Sequence, residues 1–340
     1  MARKAIELDV DGVPVKVSNP DKVFWPDHGY TKLDLINYYI AVGPGVMRGI
    51  DRRPMTLKRF PNGVTGDFFF QKRAPSPRPP GVEVAEIHFP SGRSANLAVC
   101  DHLSDLVWVL NLGCIDLNPW PVRRENVNRP DEMRIDLDPT PDASWEQVLQ
   151  VAMVVGETLE DLGYRGYPKT SGSRGIHIYI RIEPRWGFGH VRRSVLALGR
   201  EVERRIPLLA TTKWWKEERH GVFIDYNQNA RDRTVASAYS IRPTPNAQVS
   251  CPITWEELPT VRLEDFTIET VPARFGEIGD PSEGIDEVRH SLDPLLEMVA
   301  VDERKGEGDA PWPPQFPKGA TEPRRVQPSR RRDEGEDDDS

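Results

Sequence analysis

The sequence predicts a mixed α/β fold, and three observations support this prediction. Residues 133–226 follow the order strand, helix, strand, helix, strand, which is typical of α/β proteins. The strand segments alternate apolar and polar residues, whereas the helical segments repeat apolar residues every three or four positions. The chain has 340 residues, of which 38% are hydrophobic and 29% charged, enough for one large domain or two intimate ones. We therefore expect helices packed against a mixed β-sheet.

The first 113 residues are predicted to form a hairpin, two helices and a strand. The hairpin consists of two alternating runs around Asp11–Gly12, a dipeptide typical of tight turns. Thr31 supplies an N-cap for the first helix, and Gly43–Pro44 predicts its end. The expected ranges are 5–17 for the hairpin, 32–42 and 101–113 for the helices, and 55–60 for the strand.

Residues Met133–Pro139 predict a strand that carries two carboxylates on one face. Asp136 and Asp138 alternate with apolar residues and share their face with Arg134. Pro139 cannot donate a ladder hydrogen bond, so we expect the strand to stop there, at the edge of the sheet. Two neighbouring carboxylates repel each other unless a cation lies between them, and Mg²⁺ and Mn²⁺ prefer such oxygen ligands. The alternative is an exposed strand end with solvated acids.

A phosphate-binding loop is predicted after the next helix. Ser144 caps that helix with Gln147 as its capping-box partner, and Gly163 ends it. Residues 169–175 then combine two glycines, several hydroxyls and an arginine. Backbone N–H groups and side chains of this kind suit phosphate oxygens.

Two further strands, with a helix near 190–205 between them, carry candidate functional residues. The strand over 175–182 turns His177 away from its isoleucines and places it nearest the loop. A histidine with a purely structural role is the alternative. The strand over 222–226 leaves Asp225 on the face opposite its apolar residues, where a third carboxylate would complete the ligands for two hard metal ions.

An unusual aromatic run, Phe68–Phe70, lies among basic residues. Three consecutive phenylalanines cannot all point into one core from a strand. One interpretation is a buried strand with a single exposed ring. The other is a platform on which an unpaired base stacks, because aromatic rings beside Lys and Arg suit single-stranded nucleic acid.

The net charge of −8 does not exclude a nucleic-acid partner. Six of the negative charges belong to residues 333–339, and without them the net charge rises from −8 to −2. Residues 48–78 instead contain eight basic residues and two acidic ones. A local basic field of this kind is what phosphate binding requires.

Cysteine usage and hydropathy predict a cytoplasmic protein. The three cysteines, Cys100, Cys114 and Cys251, have no zinc-type spacing. No apolar run is long enough to span a membrane, and the N-terminal residues lack a signal-peptide core.

Beyond about Met298 the periodicity is lost, so we expect a folded body over 1–300. Residues 301–340, first Pro/Arg-rich and then acidic, are expected to form a disordered tail whose removal from residue 306 leaves activity intact.

Three motifs together resemble the polymerase domain of bacterial ligase D, within the archaeo-eukaryotic primase superfamily. They are Asp136–Pro139, Ser171–His177 and Phe223–Asp225, and the resemblance runs from about residue 5 to 295 without an attached ligase. It implies a primase-polymerase fold, in which an RRM-like catalytic sheet packs against a second α/β subdomain. Both subdomains would lie within residues 1–300.

The resemblance also implies roles for individual residues. Asp136, Asp138 and Asp225 would bind two catalytic Mn²⁺ or Mg²⁺ ions. The positions that match those around the incoming nucleoside triphosphate are Lys58, Asn118, Ser171, Arg174, His177, Arg219, Gln228 and Arg242. The positions that match those on DNA are Lys22 and Lys32 for a 5′-phosphate, Phe69 and Phe70 for a template base, and Arg59.

The chain departs from the family pattern at two positions. Asn118 replaces a histidine that the family often has, so a phosphate contact there would lack charge. Arg174 replaces a lysine of the loop, which keeps the charge but alters reach and geometry.

The function implied by the resemblance is templated nucleotide addition that fills short gaps or ends during DNA break repair by non-homologous end joining. Ribonucleotides and Mn²⁺ would be favoured. The expected partners are gapped or broken DNA with a downstream 5′-phosphate, nucleoside triphosphates, a DNA ligase and a Ku-like protein, in the nucleoid region of the cytoplasm.

Two other functions are compatible with parts of the sequence. A metal-dependent glycosyltransferase would use Asp136 and Asp138 but leaves Asp225 and the phenylalanines without a role. A non-catalytic module that binds DNA ends would use the basic and aromatic residues alone. The absence of a Cys/His zinc module from the sequence argues against efficient primer-independent initiation.

Overall fold

The computed structural model describes residues 5–316, so the part of the predicted tail over 317–340 lies outside the described residues. The strands are β1 Ala5–Val10, β2 Val13–Ser18, β3 Val23–Trp25, β4 Tyr30–Thr31, β5 Met55–Arg59, β6 Phe69–Gln71, β7 Glu83–His88, β8 Ser94–Val99, β9 Cys114–Pro119, β10 Glu132–Pro139, β11 Tyr167–Thr170, β12 Ile176–Arg181, β13 Ala210–Thr211, β14 Val222–Ile224, β15 Ser240–Ile241 and β16 Val249–Ser250. The α-helices are α1 Lys32–Ala41, α2 Gly43–Ile50, α3 Leu103–Asn111, α4 Trp145–Asp161, α5 Phe188–Arg205, α6 Thr270–Ile278 and α7 Asp293–Arg304. The predicted mixed α/β fold is confirmed.

Two five-stranded sheets organise the molecule. One has the order β11-β12-β10-β14-β13, antiparallel except for the parallel pair of β13 and β14. The other contains β6-β5-β8-β7, with β9 also paired to β5. Buried residues of β5 and β9 in one sheet and of β10, β12 and β14 in the other belong to one hydrophobic cluster, while buried residues of β7 and β8 belong to a second, smaller cluster. The division of residues 1–300 into two subdomains remains a prediction.

The strand β10 occupies the centre of its sheet. It pairs with β12 up to Leu137 and with β14 from Leu137 to Pro139. The expectation that Pro139 lies at the edge of the sheet is therefore wrong. Proline is tolerated here because pairing with β12 has already ended two residues earlier, so β14 alone flanks the end of β10.

Helices α4 and α5 cover one face of this sheet and leave the other for polar residues. Ile135, Leu137 and Ile178 are fully buried on the covered face. The helix α4 begins with the predicted capping box between Ser144 and Gln147. Asp136 and His177 consequently face away from these helices, toward the loops that complete the site.

The hairpin, the two helices and the strand predicted within the first 113 residues are confirmed, whereas α2 and the strands β3, β4, β7 and β8 are additional. The hairpin of β1 and β2 forms around Asp11 and Gly12, and α1 has a capping box between Thr31 and Asp34. Gly43 and Pro44, interpreted as a helix end, also begin α2. Proline is well accommodated in a first helical turn, since its missing N–H has no partner there.

The predicted boundary at residue 300 falls inside α7. This helix packs on α5, where Arg200 and Arg204 of α5 meet the buried carboxylate of Asp302. The chain then remains packed on α5 through residues 307–312. The expectation of a disordered tail is therefore wrong for residues 301–316, which have few apolar residues but many acceptors for the arginines of α5. Within residues 5–316, no helix has the length and hydropathy of a membrane span.

Candidate active site

Three carboxylates converge where β10 and β14 end. Asp136 and Asp138 come from β10, and Asp225 follows β14 directly, with its backbone N–H donating to the Asp136 carbonyl at 2.8 Å. One oxygen from each side chain lies within 4.8 Å of the others. The predicted strand over 222–226 stops at Ile224, and Asp225 instead caps a 3₁₀ turn over Tyr226–Asn229.

The surroundings of the triad disfavour three negative charges. Burial raises the pKa of Asp136 to about 6. For Asp138 and Asp225, desolvation in the cleft comes first and the neighbouring carboxylates second, and together they raise each pKa to about 7. Asp136 is 6% exposed, whereas Asp138 at the end of the strand is solvent-exposed, so the interpretation as solvated acids is wrong for Asp136 only. Three hard oxygen donors with incompletely compensated charge are the ligands that a divalent cation prefers, so these residues fit the predicted metal.

Asp225 is oriented by its own turn. Its Oδ1 accepts a hydrogen bond from the Asn227 backbone N–H at 2.9 Å, and its Oδ2 accepts one from Gln228 Nε2 at 3.1 Å. Each hydrogen bond uses one lone pair of its acceptor oxygen. The second lone pair of each oxygen remains available for a ligand.

Asp136 is oriented by a neutral histidine. In the pairing of β10 with β12, Asp136 lies opposite His177, whose Nε2 is 3.2 Å from Asp136 Oδ1. Burial, followed by the charges of Lys169 and Arg242, holds the pKa of His177 well below its usual value. Lys169 Nζ lies 2.8 Å from His177 Nδ1 and also donates to Ala236 O and Ser250 Oγ. Burial likewise lowers the pKa of Lys169 well below its usual value.

A cavity of about 290 Å³ adjoins the two acids of β10. Its lining includes six of the residues predicted to surround a nucleotide, namely Asn118, Ser171, Arg174, His177, Gln228 and Arg242. The other two, Lys58 and Arg219, are not part of its lining. Lys58 Nζ is 3.7 Å from Asp116 Oδ2 and stacks over Phe68, while the Arg219 guanidinium stacks over Phe223 at 3.5 Å.

The predicted phosphate loop is closed on itself. Ser171 Oγ accepts hydrogen bonds from the backbone N–H groups of Ser173 at 3.1 Å and Gly175 at 3.0 Å. A Cβ at Gly172, which has φ +67°, would lie 2.5 Å from Arg242 Cγ, and one at Gly175 would lie 2.2 Å from Leu137 O. The glycines therefore permit close packing against the sheet, and the prediction that backbone N–H groups hold phosphate is wrong for Ser173 and Gly175.

The lysines predicted to contact DNA form one basic cluster with Arg59. Lys22 Nζ donates to Pro61 O and to Asn62 Oδ1. Lys32 is 5% exposed, and its Nζ donates to Ser18 O at 2.7 Å and to Asn111 O at 3.1 Å. Desolvation, followed by the charges of Lys22 and Arg59, lowers the pKa of Lys32 to about 8.

All three phenylalanines of the aromatic run are exposed. The exposed fractions are 51% for Phe68, 45% for Phe69 and 60% for Phe70. They belong to the edge strand β6 and the residue before it, and Arg59 stacks over Phe69 at 5.2 Å. The interpretation as a buried strand with one exposed ring is therefore wrong, and a surface platform remains.

Sequence reasoning does not identify the roles of two residues at the site. Lys169 belongs to β11 rather than to the predicted loop, and the short Tyr167–Thr170 run after a glycine is a weak signal for that strand. For Asn227, the only signal is its position two residues after Asp225, which is typical of an Asx-type turn.

Comparisons with known proteins agree with this geometry. The model of the family "LigD, primase-polymerase domain" matches residues 31–282. The multifunctional non-homologous end joining protein LigD of Mycolicibacterium smegmatis is 33% identical over 272 residues, which cover 78% of this chain and 35% of that protein. The bifunctional non-homologous end joining protein LigD of Bacillus subtilis is 30% identical over 264 residues, which cover 77% of this chain and 42% of that protein.

A solved structure is also similar. The polymerase domain from Mycobacterium tuberculosis ligase D in complex with DNA superposes with a TM-score of 0.75 at 31% identity, over 81% of this chain and 99% of that one. The chain thus spans 35% and 42% of the two curated relatives but matches nearly all of this single domain.

Proposed function

Since the chain belongs to the LigD primase-polymerase domain family, we propose that it is a metal-dependent templated polymerase that fills short gaps and ends during repair of broken DNA. Family membership makes the chain a nucleotidyltransferase of the primase-polymerase type, and its fold is the primase-polymerase fold that the motifs predicted. The repair pathway, non-homologous end joining, comes from the names of the relatives and is part of the proposal.

The convergence of Asp136, Asp138 and Asp225 beside a basic cavity is the observation that carries the proposal. These three side chains hold two divalent ions, Mn²⁺ in preference to Mg²⁺. When bound, such ions activate a primer 3′-hydroxyl and stabilise the pyrophosphate leaving group.

The residues of the cavity bind the triphosphate. Arg174 and Arg242 supply positive charge, while Ser171 and His177 supply directed hydrogen bonds. Asn118 and Gln228 contribute neutral polar groups, and Lys58 and Arg219 act from beside the cavity. Ribonucleotides are the favoured substrates.

A surface around β5 and β6 binds the DNA. The basic cluster of Lys22, Lys32 and Arg59 receives the 5′-phosphate across the gap, and the rings of Phe69 and Phe70 stack on the template base beside it. A DNA ligase and a Ku-like protein are the proposed partners, and the nucleoid region of the cytoplasm is the proposed location.

The glycosyltransferase alternative does not explain why Asp225 joins the pair on β10. A non-catalytic module that binds DNA ends does not explain three acids with raised pKa values in a cleft. We therefore propose neither.

Extension of a 5′-labelled primer across a gapped duplex tests the proposal. We expect extension with Mn²⁺, stimulated by a downstream 5′-phosphate, and its loss in the double variant Asp136→Ala/Asp138→Ala. Asp142→Ala, which removes an exposed acid just beyond β10, serves as the control and keeps full activity. Unchanged extension by the double variant would overturn the assignment of these residues.

A further inference from the structure

The chain after α7 folds back and encloses an arginine of α5. Arg192 is 0% exposed, and its Nη1 donates to Asp309 Oδ1 at 2.6 Å. Its Nη2 donates to the carbonyls of Ala310 at 2.7 Å and Pro311 at 3.0 Å. The Trp312 ring lies 4.1 Å from the guanidinium, and Trp312 Nε1 donates to the second oxygen of Asp309. We call residues Asp309–Trp312 the strap.

The same arginine reaches the turn that carries Asp225. Arg192 Nε donates to Asn227 Oδ1 at 2.6 Å, and Asn227 Nδ2 donates to Pro311 O at 3.2 Å. The guanidinium also stacks over Tyr226 at 5.0 Å. The amide side chain of Asn227 is thus fixed on one side by Arg192 and on the other by the strap.

Asn227 connects these contacts to the metal site. Its backbone N–H donates to Asp225 Oδ1 at 2.9 Å, as described above. Two residues further, Asn229 holds the other end of the turn to β10, because its side chain bonds both the N–H and the carbonyl of Arg134. The Asp225 backbone is bonded directly to Asp136, and the turn that orients its carboxylate is held at two further points, one in the sheet and one in the strap.

We propose that the strap and Arg192 are positioning elements that set Asp225 for metal binding. The inference rests on the proposed function of the three carboxylates. Arg192 lies within the family match over 31–282, but the strap lies beyond it. Groups that orient a metal ligand commonly matter nearly as much as the ligand itself.

Charge and burial explain why the strap is required. A buried guanidinium without an acceptor for its charge is unfavourable, so Arg192 depends on Asp309 and the two carbonyls. Without them the arginine would seek other acceptors, and Asn227 would lose its restraint. The strap lies within residues 306–340, so this inference replaces the expectation that all of these residues are dispensable.

Binding of Mn²⁺ to the full chain, without DNA or nucleotide, tests this inference directly. We expect Asp309→Asn to weaken Mn²⁺ binding, followed by electron paramagnetic resonance, by roughly tenfold or more. Arg192→Lys, which keeps the charge but cannot reach all its acceptors, should have an effect in the same direction. Hydrogen exchange of a peptide covering 222–230 should become faster in both variants.

Asp302→Asn is the matched control. Asp302 is also a buried acid that pairs with arginines of α5, but it has no contact with the turn over Tyr226–Asn229 among its ion pairs. We expect it to lower thermal stability and to leave Mn²⁺ affinity and exchange at 222–230 unchanged.

The results separate the strap from the proposed function. Unchanged Mn²⁺ affinity in Asp309→Asn and Arg192→Lys, or an equal loss in Asp302→Asn, would overturn the role of the strap. If the wild-type chain binds Mn²⁺ and Asp309→Asn does not, the positioning role of the strap is supported. This result would hold even if the chain failed to extend a primer.

Discussion

Asp225 shows at the scale of a single residue how stability is exchanged for a binding site. Its carboxylate receives two amide hydrogen bonds, but it lies in a desolvated cleft beside Asp136 and Asp138. Without a divalent cation, the negative charges of neighbouring carboxylates repel each other and lower the stability of the fold. Such a conflict is typical of functional residues, whose removal often stabilises the fold.

This conflict predicts how stability depends on pH without metal. The pKa of Asp225 is raised from 3.8 to about 7 in the folded chain, chiefly by desolvation. Deprotonation therefore costs folding free energy, and the cost grows as pH rises from about 4 to 7. We expect Asp225→Asn to raise the free energy of unfolding at pH 8 in EDTA by about 1 kcal/mol, and by less at pH 5.

Urea unfolding at the two pH values measures this effect. Addition of Mn²⁺ should stabilise the wild-type chain and leave Asp225→Asn unchanged. A variant that is no more stable than the wild type at pH 8 would show that the triad is not in electrostatic conflict.

At the scale of elements, the edge strand β6 presents rings that packing does not explain. Phe69 and Phe70 are large, exposed and adjacent to Arg59. An exposed aromatic patch beside a basic cluster on an edge strand marks a binding surface more often than a folding requirement. The position of β6 beside β5 brings this surface next to Lys58 and its neighbours.

Removal of both rings should weaken DNA binding and little else. We expect Phe69→Ala/Phe70→Ala to reduce affinity for gapped DNA about tenfold, because stacking contributes about 1–3 kcal/mol per base. Fluorescence anisotropy measures this affinity, with gapped DNA that carries or lacks a downstream 5′-phosphate. Leu208→Ala, which removes an apolar side chain that is 85% exposed elsewhere, is the control and should bind normally. Equal binding by both variants would exclude the platform.

At the scale of the whole molecule, the cavity lies where the two sheets meet. Asn118 comes from β9 in the sheet that contains β5, whereas Asp136 and His177 come from the sheet that contains β10. The segment that leads to Arg242 joins them, because Ser237 N–H donates to Leu117 O and Ser240 Oγ accepts from Leu117 N–H. The sheet that carries the proposed template platform and the sheet that carries the metal site thus share one hydrophobic core.

The features that can be predicted from the sequence are those that depend on residues close together in the chain. Alternation along β10 is local, so the sequence predicts that Asp136 and Asp138 share a face. The helix caps at Thr31 and Ser144 are likewise local.

What sequence reasoning missed depends on distant contacts. The central place of β10 follows from pairing with strands more than 35 residues away. The strap depends on Arg192, which looks like any charged residue of an amphipathic helix until residues over 100 positions later fold onto it. Residues 301–316 have little apolar periodicity, because arginine–acceptor contacts rather than a hydrophobic stripe hold them.

The most direct test of the central claim is single-nucleotide insertion into a one-nucleotide gap with each of the four template bases in turn. With Mn²⁺ present, we predict addition of the complementary nucleotide in each case and no addition after chelation by EDTA. Addition that ignores the template base, or that persists in EDTA, would contradict the account.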